Sequence, residues 1–354
     1  MLLRGNEEQT LKNKKLGDKM TKKYLILLIF IMILCCNNSN ESSIKIGMIS
    51  SFGGFENQSF TGNCREGLER AAEDFDITAE YAEADSIGDF ESVMNELAEI
   101  GCELIFPIGF DQSEATYNVA QIFPEIDFAI VDFEFEESIE NIQSIIFETD
   151  EASFPLGFLA AFWADLQDAN EPKIGYVGGM DILPVNQFIT GYLNGKNYFN
   201  EKYDKNVTED GTYANSFYDG ELGFDLADSL IINGVDVIFP VAGQTGNGVL
   251  LAAKENEKWG IGVDVDEYFF LTEVQDILLS SCLKRADNAV YDTVDDFIKN
   301  NFNGGGVYHG TLENEGVGIA PYHDFEELIP DSIRVEIEEI IQDIISGELD
   351  TGWE

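Results

Sequence analysis

The sequence predicts an α/β protein: two Rossmann-like lobes, each built on a parallel sheet, with a ligand cleft between them. Three observations carry this. From Ser43 onward, short apolar runs alternate with helical stretches. The alternation restarts past residue 150, and both halves open on the same tripeptide, Lys45-Ile46-Gly47 and Lys173-Ile174-Gly175. A βαβα rhythm implies parallel strands covered by helices on both faces, and its repetition implies two similar lobes.

The first half reads as follows. Ile44–Ile49 is an apolar strand that ends in a glycine-rich loop, and a helix covers Asn63–Asp74. Glu80–Ala84 is a strand, and Ile87–Ile100 an amphipathic helix. Leu104–Ile108 is a further apolar strand, with a helix near Ser113–Phe123; Phe128–Val131 and Ile142–Phe147 follow as strands. A helix over Glu151–Trp163 leads into the second half. There the strands are Lys173–Val177, Gly211–Ser216, Val237–Val241 and Ile261–Val263, and the helices Val185–Phe199, Gly220–Ile232 and Gly248–Lys258. The runs are short and apolar because a strand covered on both faces has no polar side.

The chain has 354 residues, with 67 Asp+Glu against 20 Lys+Arg and two His, a formal charge of −47. Hydrophobic residues make up 44% and aromatics 12%, including 26 Phe, enough for a sizeable core, so the acidity does not mean disorder. Such a field excludes nucleic acid as a partner and disfavours docking of the folded part on anionic lipid. It reads as a solvated surface.

Residues 1–36 are expected to be an export signal and 37–43 a tether. Lys22-Lys23 precede an apolar run from Tyr24 to Leu34, too short to span a membrane, and Cys35-Cys36 follow. The segment resembles a bacterial lipoprotein signal, in which a Cys becomes the lipidated N-terminal residue. Cys36 is favoured, with Cys35 as the alternative. Met20 is the expected start, with residues 1–19 not native. Residues 1–34 hold seven of the Lys/Arg and three of the Asp/Glu, so the remainder carries 13 basic and 64 acidic residues, a charge of −51.

Beyond the signal, Cys64, Cys102 and Cys282 are widely spaced and odd in number, which argues for small buried side chains rather than a disulfide framework. With only His309 and His323, a zinc site or a Ser-His triad has little to draw on. No metal, cofactor or catalytic group is expected, and no enzyme.

Ligands of parallel sheets bind at the carboxyl ends of the strands. The loops there are Ser50–Phe60, Gly109–Ser113, Asp132–Phe135, Gly178–Asp181, Phe217–Asp219, Ala242–Gly248 and Asp264–Asp266. Asp264 ends an apolar strand in a carboxylate, with Asp266 as its rival. The loop at Gly243 lets backbone approach a ligand but lacks the Lys-Ser/Thr of a phosphate-binding loop.

Six segments, Gly53–Phe60, Glu151–Gly157, Gly175–Asp181, Ala242–Val249, Gly262–Asp266 and Lys284–Tyr291, resemble the basic membrane protein family of bacterial lipoproteins, in family order. The resemblance implies the class I periplasmic binding protein architecture and capture of a nucleoside, a purine one as in the best understood members, for an ABC importer. It implies three crossings between lobes, near Glu148, Asp276 and Gly304. The N-terminal lobe is then 44–148 plus 277–303, and the C-terminal lobe 149–276 plus 304–354. In the pocket it implies Phe60 and Phe217 as stacking aromatics of the two lobes, Asp264 on the ribose hydroxyls and Lys284 beside it. Asp132 sits at the base edge, with Ser51, Phe52, Asn57, Gly109 and Gly243 completing the lining. Family nucleoside binders carry Asp where this chain has Ser51, and Asp-Lys where it has Asn57-Gln58. That departure keeps a second ligand class open, a sugar or other small polar molecule. A third reading is a surface adhesin or interaction lipoprotein on the same fold. The implied partners are a small-molecule ligand, ABC permease subunits and the membrane, reached through the lipid anchor.

Overall fold

The computed structural model describes residues 43–50, 54–55, 60–168 and 170–353. The export signal, Cys35, Cys36 and the tether to residue 42 lie outside the described residues, as do Ser51, Phe52 and Asn57. Ile44–Glu354 form one unit. Among the described residues, no helix is long and apolar enough to cross a membrane.

The elements run β1 (Ile44–Ser50), α1 (Phe60–Asp74), β2 (Ile77–Glu83), α2 (Phe90–Glu99), β3 (Leu104–Pro107), α3 (Ser113–Ile122), β4 (Asp127–Val131) and β5 (Ile142–Phe147). Then come α4 (Thr149–Gln167), β6 (Lys173–Gly178), α5 (Leu183–Tyr203), β7 (Thr208–Tyr213), α6 (Gly220–Ile232), β8 (Val237–Val241), α7 (Gln244–Glu255), β9 (Trp259–Asp264) and α8 (Glu267–Phe270). The chain closes with β10 (Leu278–Lys284), α9 (Ala286–Ile298), β11 (Val307–Gly310), β12 (Val317–Ile319) and α10 (Asp331–Ser346).

Two six-stranded sheets result, ordered β11-β5-β4-β3-β1-β2 and β12-β10-β9-β8-β6-β7. The orders match position by position, so β4 corresponds to β9 and β5 to β10. All pairings are parallel except β10 with β12, an antiparallel edge on the second sheet. Within a strand, successive side chains feed opposite layers: Ile46 and Met48 enter the largest apolar cluster, which runs through both lobes, while Ile49 enters the outer layer of the first lobe. Val237 and Phe239 against Ile238 repeat this in the second lobe.

The repeated Lys-Ile-Gly does the same work twice. Lys45 Nζ donates to the carbonyl of Ile100, just past α2, at 2.9 Å, and Lys173 Nζ to that of Asn233, just past α6, at 2.7 Å. Each cation thus caps the negative end of the corresponding helix. Gly47 and Gly175 then let Leu97 and Val235 press on the strand: a Cβ on either would lie 2.9 or 2.8 Å from them.

Two expected crossings are corrected. Leu278–Lys284 is β10, paired with β9 and β12, so it belongs to the second lobe and not the first. The chain crosses at Arg285, after which α9 packs on α1. β11 pairs with β5, so Val307–Gly310 belong to the first lobe and not the second, and the last crossing falls in residues 311–316, before β12. An apolar run is buried equally well on either sheet; only which edge stands open decides its partner. β7 also begins three residues earlier than expected. Its polar sequence suits an edge strand that pairs along the whole of β6 and is covered on one side.

Candidate ligand-binding site

The parallel order brings the strand ends of both sheets to one cleft. In the first sheet these are Ser50 of β1, Gly109 after β3, Asp132 after β4 and Phe147 of β5. In the second they are Gly178 of β6, Gly243 after β8, Asp264 of β9 and Lys284 of β10.

Lys284 ties the lobes together. Its Nζ donates to Asp132 Oδ2 across the cleft at 2.6 Å and stands 4.8 Å from the Phe60 ring centroid. Asn63 Nδ2, on the first turn of α1, donates to the Lys284 carbonyl at 2.9 Å. The Lys284 side chain is 5% exposed and that of Asp132 15%. Buried charges of this kind persist only when paired.

Asp264 stands beside Leu283 in the β9–β10 register, one residue from Lys284. Burial raises its carboxyl to about 6; the Lys284 cation pulls it down and Asp132 pushes it up. Its rival Asp266 is otherwise engaged: it caps α8 through Tyr268 N at 3.3 Å and meets His323 Nε2 at 2.8 Å. The local backbone thus gives the two carboxylates different partners.

The glycines sit where the chain must turn at the cleft. Gly109 has φ 114° and Gly243 φ 55°, after the corresponding strands β3 and β8. A Cβ on Gly243 would approach the Phe217 carbonyl at 3.2 Å. Phe217 does not end a strand: β7 stops at Tyr213, and residues 214–217 bend so that the Phe217 ring covers Gly179, beyond the end of β6. Thus Phe60, Asp132, Asp264 and Lys284 form one group, and Phe217 with Gly243 a second, on the second lobe.

Three side chains near this site were not singled out from sequence. Phe147 and Phe188 flank the Lys284 ammonium at 5.2 and 5.7 Å. Glu267 lies behind Asp264, and burial, then Asp264 and Asp266, push its carboxyl to about 8. Phe147 ends a strand, a signal that could have marked it; Phe188, one of 26 Phe, has none. The buried thiols Cys64 and Cys282 are unbonded and pushed well up by burial, so they are inert. Among the described residues no group of His, Cys, Asp and Glu could hold a metal.

An ion pair bridging two lobes, with aromatic faces and strand-end carboxylates around it, is the geometry of a binding cleft. Comparison with known proteins names the family. The model for ABC transporter substrate-binding proteins of the PnrA-like type, Bmp, matches residues 44–350. The chain belongs to the Bmp family. Basic membrane protein B of Borreliella burgdorferi is 30% identical over 319 residues, covering 85% of this chain and 90% of that protein. A Pyrococcus abyssi protein named an uncharacterized lipoprotein is 30% identical over 305 residues, covering 83% and 74%. The crystal structure of an ABC transporter solute-binding protein from Aeropyrum pernix superposes with a TM-score of 0.78 at 28% identity, covering 87% of this chain and 92% of that one. This Bmp protein is therefore a substrate-binding component of an ABC transporter with the periplasmic binding protein fold. Its role is to hold a small molecule for permease subunits, not to transform it.

Proposed function

We propose that this Bmp protein is exported, anchored to the cell membrane through a lipid on Cys36 (or Cys35), and captures nucleosides, purine ones foremost, for import. The observation that carries the reading is the Lys284–Asp132 pair across the cleft, with the Phe60 ring against it and Asp264 beside it. An aromatic face suits a base, at ~1–3 kcal/mol per stacked base in nucleic-acid proteins. An ionised Asp264 accepts from two vicinal hydroxyls, and Lys284 donates to a sugar or base oxygen. Phe217, on the second lobe, supplies the opposite aromatic face as the lobes close about their three crossings. With a charge of −51 beyond residue 34, the chain suits an uncharged nucleoside better than a phosphorylated one. The lipoprotein name of the Pyrococcus relative supports the anchor.

Calorimetric titration with purine and pyrimidine nucleosides, free bases and sugars tests this. Saturation by purine nucleosides alone supports it. At 100 times the dissociation constant a ligand stabilises the protein by ~2.7 kcal/mol, so thermal shift gives a second readout. Ser51, in place of an aspartate, favours a second reading in which the cleft takes a sugar or another small polar ligand. Binding of sugars only would select it, and binding of none of these would overturn both. Mass spectrometry of the mature N-terminus, with Cys36→Ser and Cys35→Ser, tests the anchor.

A further inference from the structure

Lys284 is held in an unusual way for a chain so rich in acids. Among the described residues, one oxygen accepts from its ammonium, Asp132 Oδ2 at 2.6 Å. The Asp264 carboxylate lies beside it and interacts with its charge, and three aromatic rings face it. Phe60 and Phe147, from the first lobe, stand 4.8 and 5.2 Å from Nζ, and Phe188, on α5 of the second lobe, 5.7 Å. Phe147 and Phe188 are 3% and 2% exposed, so these rings are fixed walls. A second carboxylate hydrogen-bonded to the cation would hold it as firmly, but it would take another N–H. A ring face attracts the cation through its quadrupole and consumes no conventional acceptor.

We propose that Phe147 and Phe188 are positioning residues of the binding cleft, which with Phe60 cage the Lys284 ammonium and keep its remaining N–H donors available to an oxygen acceptor on the ligand. This rests on the reading of Lys284 as a ligand-binding residue. The cage draws walls from both lobes, so the ammonium is placed only when the lobes come together. It also defines what the cleft refuses: a cationic ligand would meet a fixed ammonium.

The first test needs no ligand. In the purified protein, with lysine side chains labelled with ¹⁵N, the ammonium protons of Lys284 are expected at high field through ring currents, assigned by their loss in Lys284→Arg. Phe188→Leu, which keeps bulk and loses the ring, moves them back toward the ordinary lysine position, and Phe188→Tyr does not. Phe147→Leu acts likewise. If the Lys284 signal sits with those of exposed lysines, or Leu and Tyr at 188 act alike, the proposal is wrong. If Phe188→Leu fails to fold, fluorinated phenylalanine at 188 keeps the shape and weakens the quadrupole, and the resonance must then shift stepwise with fluorine count.

The second test uses adenosine and inosine. Phe188→Leu is expected to weaken binding about tenfold, and Phe188→Tyr to restore it. Equal losses in both would overturn the proposal. Failure of the wild-type protein to bind any nucleoside would count against the proposed function alone, because the resonance test decides the cage independently.

Discussion

Asp132 and Asp264 are equivalent residues of the two lobes. Each closes or follows the fourth strand of its sheet, and each has a left-handed backbone, φ 65° and 63°. Both carboxylates are thereby turned from the strand direction at the cleft, one to the Lys284 ammonium and one beside it. An L-residue in this conformation costs ~1–2 kcal/mol, less for Asp and Asn. Such strain is retained where a site uses it.

A first prediction separates that backbone role from the chemistry. At either position, the change to Gly and the change to Ala lose the same carboxylate. The Ala variant should be less stable by about 1 kcal/mol in urea unfolding, because only Gly takes the left-handed conformation freely. Equal stabilities would refute the strain. Asp264→Asn keeps the conformation and loses the charge, and it should weaken ligand capture about 10- to 100-fold by calorimetry.

The second concerns pH. Burial raises the Asp264 carboxyl to about 6 and the Glu267 carboxyl to about 8. A carboxyl raised on folding binds more protons in the folded state. Its contribution to stability is complete below the unfolded value and is lost as pH rises through the folded one. Stability from these two groups should therefore fall from about pH 4 to about pH 8, first through Asp264 and then through Glu267. Denaturant unfolding across this range checks it, and Glu267→Gln should flatten the upper part. Ligand capture runs the other way. Hydroxyl recognition needs ionised Asp264, so affinity should rise as pH passes about 6, and this rise should vanish in Asp264→Asn.

The third concerns the first crossing. His309 Nδ1 meets Glu148 Oε1 at 2.7 Å, and Gln187 Nε2 donates to Glu148 Oε2 at 2.9 Å and to Asp150 Oδ1 at 2.6 Å. Thr351 Oγ1, near the C-terminus, donates to the other Asp150 oxygen. Asp150 and Thr351 are buried, and burial raises the Asp150 carboxyl. Thr351→Val keeps the shape and removes a donor, which should cost about 1–2 kcal/mol in urea unfolding. An unchanged midpoint would mean that the tail is not held there.

The fourth follows from charge. With 64 acidic against 13 basic residues beyond residue 34, most carboxylates have no cation to pair with. Screening relieves their repulsion. The melting temperature should rise between about 0.1 and 1 M sodium chloride, where the Debye length falls from ~10 to ~3 Å. A flat or falling curve would show that repulsion does not limit stability.

The sequence by itself determined the two α/β lobes, because strands covered on both faces must be apolar where they are buried, as Ile46–Ile49 and Val237–Val241 are. It also marked the lobes as alike, since the Lys45 and Lys173 caps depend only on a strand and the helix three elements on. The cleft loops were legible for the same reason: ligand sites lie at strand ends. Tertiary structure alone decided where β10, β11 and β12 pair, since an apolar run carries no label for the edge it fills. It gave Asp266, the rival of Asp264, other partners, the cap of α8 and His323. It also gathered Phe147 and Phe188 around Lys284 from opposite lobes. In sequence Phe188 looks like any core phenylalanine and Phe147 is marked only by ending a strand, because a ring face becomes a cation site only when a chain 96 or more residues away delivers the charge.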